Sequence, residues 1–122
     1  MEEQMAKLKE YLQMETEISF EEFKKYYNDV IGLLNKEYHN MDQADCLKAR
    51  YICSIVQAIA ECRATRSKAN SKAFRKMAAK CGFWVEAIDY RLQKKEGLTR
   101  ADIDTAMSEI NKKMEEPAPT HN

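Results

Sequence analysis

The sequence predicts an all-α fold, a bundle of four or five helices around a central antiparallel helical hairpin. Two observations support this class. Only three Gly and two Pro occur among 122 residues, of which 44% are hydrophobic and 33% charged, a composition typical of soluble helical proteins. Apolar side chains also recur every three or four residues over long segments, which is the spacing of one helical face. Because this length suits one hydrophobic core, we predict a single helical domain at residues 1–116 and a disordered C-terminal tail at 117–122.

Two helices are expected in the first third of the chain. Residues 2–15 form the first, whose apolar stripe is narrow, so an ordered arm and a partner-dependent helix are the alternatives to a packed helix. The second covers residues 20–38. Its start is marked by Ser19 and by Glu22 three residues later, the pattern of a capping box. Gly32 lies in its interior, and we expect another backbone to pass close to it.

The central helix is predicted at residues 42–66, the most apolar long segment of the chain and one without Gly or Pro. Asp42 is a suitable N-cap. Apolar side chains cover most of its circumference, so other helices should cover several of its sides. The predicted buried side consists of Ala44, Leu47, Tyr51, Ile55, Ala58 and Cys62, widened by Ile52, Val56 and Ile59. The predicted solvent side is a polar stripe of Arg50, Ser54, Gln57 and Glu61.

Two further helices complete the predicted bundle. The polar segment after residue 66 is expected to form a turn, with one continuous helix of more than about 50 residues as the alternative. The next helix covers residues 71–96 and ends before Gly97, which suits the left-handed position after a helix. Thr99, with Asp102 three residues later, then opens the last helix. The core face of the 71–96 helix is predicted to contain Phe74, Met77, Cys81, Trp84, Val85, Ile88 and Leu92.

The sequence lacks the usual catalytic and metal-binding patterns. It has no Gly-rich phosphate loop and no H-E-x-x-H motif, and one His lies outside the tail. Cys46 with Cys53, or His39 with Asp42 and Asp45, could be drawn as metal sites. Buried thiols and helix-capping carboxylates explain these residues more simply. We therefore predict a protein that is not an enzyme and that uses no cofactor and no metal.

The N-terminal residues are acidic and amphipathic, unlike a secretory signal, which needs a basic start and an apolar core. No apolar run approaches the roughly 20 residues that span a bilayer. The four cysteines form no C-x-x-C pair, and a reducing compartment would keep them as thiols. We predict a cytoplasmic protein without a membrane partner.

A second apolar stripe runs along the 71–96 helix, roughly opposite its core face. Its members are spaced by four, four and three residues: Ala79, Phe83, Ala87 and Tyr90. One of the first two helices could cover this stripe. Alternatively, the alanines admit another helix closely and the aromatic rings anchor it, as in protein interfaces. The leading hypothesis is a small non-catalytic interaction or regulatory protein that binds itself, as a homodimer, or another protein through these four residues.

Basic residues are concentrated before and within the start of the same helix. Six of them follow one another without an intervening acid: Arg63, Arg66, Lys68, Lys72, Arg75 and Lys76. A solvated face, or one that answers an acidic surface of the same molecule, is the simplest interpretation. Phosphate binding is the alternative.

The segment 74–92 resembles the helix-turn-helix pattern of DNA-binding repressors. Gly82 takes the place of the turn glycine, with Ala78 four residues before it and apolar Phe83 just after. The resemblance implies a nucleic-acid-binding regulator that uses the six basic residues on phosphates. The residues that would read bases are apolar or acidic: Trp84, Val85, Glu86, Asp89 and Tyr90. In a helix-turn-helix Phe83 would face inward and Trp84 outward, whereas a single helix would reverse them.

Overall fold

A computed structural model describes residues 1–117 and confirms the all-α fold with a central helical hairpin; no strand occurs in that range. A short 3₁₀ turn, Tyr38–Asn40, connects the second and third helices. The five helices are α1 (Glu2–Leu12), α2 (Phe20–Glu37), α3 (Gln43–Arg66), α4 (Ser71–Lys94) and α5 (Arg100–Glu115). Apart from Pro117, the tail predicted at 117–122 lies outside the described residues.

The predicted helix starts are formed by local hydrogen bonds. Asp42 accepts a hydrogen bond from the backbone N–H of Asp45 at 2.8 Å. Thr99 and Asp102 form a complete reciprocal capping box. At the start of α2, the Ser19 hydroxyl accepts from the N–H of Glu22 at 3.1 Å.

The capping box predicted at α2 is only half formed, because the Glu22 carboxylate accepts a hydrogen bond from the Tyr11 hydroxyl of α1. A second tyrosine, Tyr26, donates its hydroxyl proton to the carbonyl of Gln4 at 2.7 Å. Leu8 of α1 is fully buried in the core. These contacts make α1 a helix packed on its own chain, three residues shorter than predicted, and not an arm or a helix that depends on a partner.

Helices α3 and α4 pack on each other more extensively than any other pair. A turn separates them, in which the N–H of Asn70 donates to the Ser67 hydroxyl at 3.1 Å, so the alternative of one continuous helix is wrong. The end of α4 is set by Gly97, whose φ is +71°, and by the N–H of Leu98, which donates to the carbonyl of Leu92 at 3.0 Å. This is the hydrogen bonding expected after a helix that ends in a left-handed glycine.

The buried side predicted for α3 is only partly right, because Tyr51, Ile52 and Val56 are buried as predicted. Ala44, Ala58 and Cys62 are exposed. The rest of the buried surface lies mostly on the opposite side and is rich in small residues: Cys46, Ala49, Cys53, Ala60 and Ala64. Small side chains add little to a count of apolar surface, but they let two helix backbones approach closely. Helix α4 therefore packs on the small residues and not on the side with the larger ones.

Arg50 was predicted on the solvent side of α3, but it is buried, with only 9% of its surface exposed. Its guanidinium binds both carboxylate oxygens of Asp89 on α4. Arg100, at the start of α5, donates to the same carboxylate at 3.1 Å. Burial alone raises the pKa of Asp89, but the hydrogen bonds and charges of the two arginines outweigh it, so the pKa is lowered. One carboxylate thus connects three helices.

No backbone passes close to Gly32, contrary to the prediction. This residue is exposed, and an added Cβ would meet no atom within 4 Å.

Gly32→Ala is therefore expected to raise the free energy of unfolding by about 0.5–1 kcal/mol, since Ala loses less backbone entropy in a helix. Gly82→Ala is the matched control, because its Cβ would lie 3.0 Å from Nε2 of Gln57 and should gain less. Urea unfolding measures both, and a destabilised Gly32→Ala variant would contradict the open surroundings.

Candidate interaction surface on α4

Helix α4 carries two apolar faces with opposite environments. The core face is buried as predicted at Phe74, Met77, Cys81, Trp84, Ile88 and Leu92. Ala78 is also buried, whereas Val85 is only half-buried. On the other side of the helix, the side chain of Phe83 is 56% exposed and that of Tyr90 is 63% exposed. An aromatic residue is normally among the more buried types, so two exposed rings seven residues apart on one face are the feature that requires explanation.

The helix-turn-helix interpretation of residues 74–92 is wrong. Helix α4 continues through Gly82 without a positive φ angle. Trp84 is buried beside Tyr38, with ring centroids 5.0 Å apart, and Phe83 points outward. The apolar residues of α4 keep one helical period from Phe74 to Leu92, which favours a single helix over a turn at Gly82. The side chain of Gln57 occupies the space beside Gly82.

The other predicted members of the outer stripe lie on the same face. Ala79 is exposed and Ala87 is half-buried. The hydroxyl of Tyr38 donates to the backbone carbonyl of Ala87 at 3.3 Å and covers that edge. Helix α1 packs on α3 and α5, and α2 packs on α3 and on the core face of α4, where Phe20 and Phe23 contact Phe74. Within residues 1–117, neither helix covers Phe83 or Tyr90, so the interpretation of the stripe as an internal contact is wrong for these two rings and right in part for Ala87.

Charged side chains lie before and within this outer stripe. Lys72 and Lys76 are exposed on the N-terminal half of α4, and Glu86 is exposed on the C-terminal half. The ammonium group of Lys80 lies 5.2 Å from the centre of the Phe83 ring, within the range of a cation–π contact. The surface therefore has basic residues before Ala79 and one acid between Phe83 and Tyr90.

The six predicted phosphate-binding residues divide into two groups. Arg63 and Arg66 both pair with Glu17 in the connection between α1 and α2. The guanidinium of Arg63 also lies 4.9 Å from the centre of the Phe74 ring. The positive charges of these two residues are therefore compensated by an acid of the same molecule. The others are exposed: Lys68, Lys72, Arg75 and Lys76.

A cavity that the sequence did not predict lies between α1, α2, α3 and the α1–α2 connection, with a volume of about 260 Å³. Its walls are largely apolar, and Leu12 and Met14 are exposed at its edge. Several of its polar groups already have partners: Tyr11 donates to Glu22, and Glu17 accepts from Arg66. Few polar groups remain to orient a ligand, which most binding pockets require.

Candidates for catalysis are few in the described part of the chain. No group of three or more His, Cys, Asp or Glu residues in 1–117 could hold a metal ion. Cys46, Cys53 and Cys81 are buried thiols. Cys62 is exposed, although it was predicted to lie on the buried side of α3. A hydrogen bond with Cys81, together with burial, raises the pKa of the Cys53 thiol, which makes it a poor nucleophile. Among the described helices, none is long and apolar enough to cross a membrane.

Comparisons with protein-family models, with curated proteins and with solved structures find no match to this chain. The function is therefore inferred from the geometry of α4.

Proposed function

We propose that this is a small non-catalytic interaction protein that binds a protein partner through the outer face of α4. The observation that carries the proposal is the exposure of Phe83 and Tyr90 on a helix whose opposite face is fully buried. Aromatic side chains are enriched at the centre of protein interfaces. A cytoplasmic location is part of the proposal and is supported by four cysteines that are all free thiols.

The arrangement suits docking of a helix. Phe83 and Tyr90 are two turns apart, so their rings project from the same side at a separation of about 10 Å along the axis. Ala79 lies between the basic end and Phe83, where it leaves room for a partner's side chain. Since α4 is held on its other side by α3 and the core, the surface is rigid before binding, which lowers the entropy cost of association.

Phe83→Asp is expected to abolish assembly while the helical content stays unchanged. A buried, unpaired carboxylate at the centre of the contact costs several kcal/mol, by order of magnitude. Light scattering coupled to size exclusion measures the mass of the wild type and the variant. Met14→Asp is the matched control, because Met14 is similarly exposed at 45% but lies by the cavity. A monomeric wild type without a protein partner, or unchanged assembly of Phe83→Asp, would overturn the proposal.

Nucleic-acid binding is the second candidate, supported by the four exposed basic residues Lys68, Lys72, Arg75 and Lys76. The helix-turn-helix that partly supported this function is absent, because α4 is one continuous helix. Arg63 and Arg66 form ion pairs with Glu17. Such binding would weaken steeply with salt. Absence of duplex binding at low salt would end this alternative.

A further inference from the structure

We propose that the partner of the α4 surface is a second copy of this chain, packed antiparallel about a twofold axis that passes beside the level of residue 81. This inference rests on the proposed function and names its partner. The central contact would place Phe83 of each copy against Ala79 of the second copy. Isologous pairing of this kind is the commonest form of self-association.

The outer face of α4 has the spacing of a coiled-coil seam. Six exposed residues follow one another at alternating steps of four and three: Lys72, Lys76, Ala79, Phe83, Glu86 and Tyr90. Such positions form the a and d layers between two supercoiled helices. The seam faces away from Cys81 and Ile88, which are buried in the core, and all six of its residues are exposed.

The charges on this seam select the antiparallel orientation. In a parallel pair, Lys72, Lys76 and Glu86 would each lie opposite their own copies, and like charges in facing positions are unfavourable. In the antiparallel pair centred beside residue 81, Lys76 lies opposite Glu86 of the second copy. The ammonium group of Lys72 lies opposite the ring of Tyr90 of the second copy, a cation–π arrangement. The symmetry repeats each contact twice.

Side-chain size selects the register. With the axis beside residue 81, the large ring of Phe83 meets the small Ala79, and interdigitation of large and small residues fills the space between helices. A shift of the axis to residue 83 would place the two Phe83 rings opposite each other. The preferred register also brings the two Lys80 side chains to the same edge, which costs the dimer some affinity.

Cross-linking tests the register in a Cys62→Ser background, which removes the exposed native thiol. Lys76→Cys and Glu86→Cys are prepared separately, and each is treated with a short bis-maleimide, alone and as a mixture. We expect a covalent dimer in the mixture only, because two copies of residue 76 would be about 15 Å apart along the helix axis. Cross-linking within each single variant indicates a parallel pair and overturns the inference.

Charge reversal gives a second readout. Lys76→Glu and Glu86→Lys are each expected to weaken dimerisation by about tenfold, and the double variant is expected to restore it. If Phe83→Asp abolishes assembly but neither the mixed cross-link nor the rescue is observed, the inference fails while the proposed function stands. If the wild type is monomeric and Phe83→Asp alters no binding to another protein, both fail.

Discussion

Replacing Phe74 by Ala is expected to lower the free energy of unfolding by about 3–5 kcal/mol, whereas Phe83→Ala is expected to change it by about 0.5 kcal/mol or less. The two residues have the same side chain on the same helix. Phe74 is 1% exposed, and its ring packs edge-on against Phe20 and Phe23 at centroid distances of 5.2 and 5.6 Å. The difference between the variants measures how much of the stability of α4 comes from its core face.

Urea unfolding followed by circular dichroism measures this difference. The protein concentration should be low, because self-association would add stability that depends on concentration. The slope with denaturant should stay unchanged in Phe83→Ala, since the surface exposed on unfolding is nearly the same. Equal destabilisation of the two variants would show that the exposed ring of Phe83 belongs to the core, which would contradict the structure.

Asp89→Ala is expected to destabilise the fold by about 3 kcal/mol, the second large effect. It would leave the guanidinium of Arg50 buried without its carboxylate partner. Arg100→Ala removes the other partner of Asp89, but its side chain is 52% exposed, so a loss of about 1 kcal/mol or less is expected. Urea unfolding measures the free energy of unfolding of both variants. A larger loss of stability for Arg100→Ala than for Asp89→Ala would contradict the burial of the pair between Arg50 and Asp89.

The lowered pKa of Asp89 gives the same interaction a pH dependence with a defined sign. A carboxyl group whose pKa is lower in the folded state stabilises fully above its unfolded pKa, about 3.9. That contribution is lost as the pH falls through the folded value. The stability difference between the wild type and Asp89→Ala should therefore shrink under acidic conditions below about pH 4. A difference that grows with acidity would contradict the ion pair.

The helix boundaries could be predicted because their signals are local. Asp42, Thr99 and Gly97 act on backbone groups within a few residues, so no tertiary information is needed. The partner of Arg50 could not be predicted, because Asp89 is 39 residues away in sequence and the side of α3 that meets α4 was assigned wrongly. A helix that is apolar all round has no phase that reveals which side meets which neighbour.

The candidate surface was only partly accessible from sequence. The spacing of Ala79, Phe83, Ala87 and Tyr90 placed them on one face, which the continuous helix α4 confirms. Whether that face is covered depends on where α1 and α2 pack, which is a tertiary property. The cavity between α1 and α3 depends on the same packing and left no recognisable pattern in the sequence.

An NMR dilution series tests most directly whether this protein associates through the outer face of α4. Backbone amide shifts of the ¹⁵N-labelled protein are recorded from high to low concentration. We expect the changes to be confined to the outer face around Lys76, Phe83 and Tyr90, while amides of α5 remain unchanged. Shifts clustered around Leu12 and Met14, or no shift at any concentration and none on α4 when cell extract is added, would contradict the account.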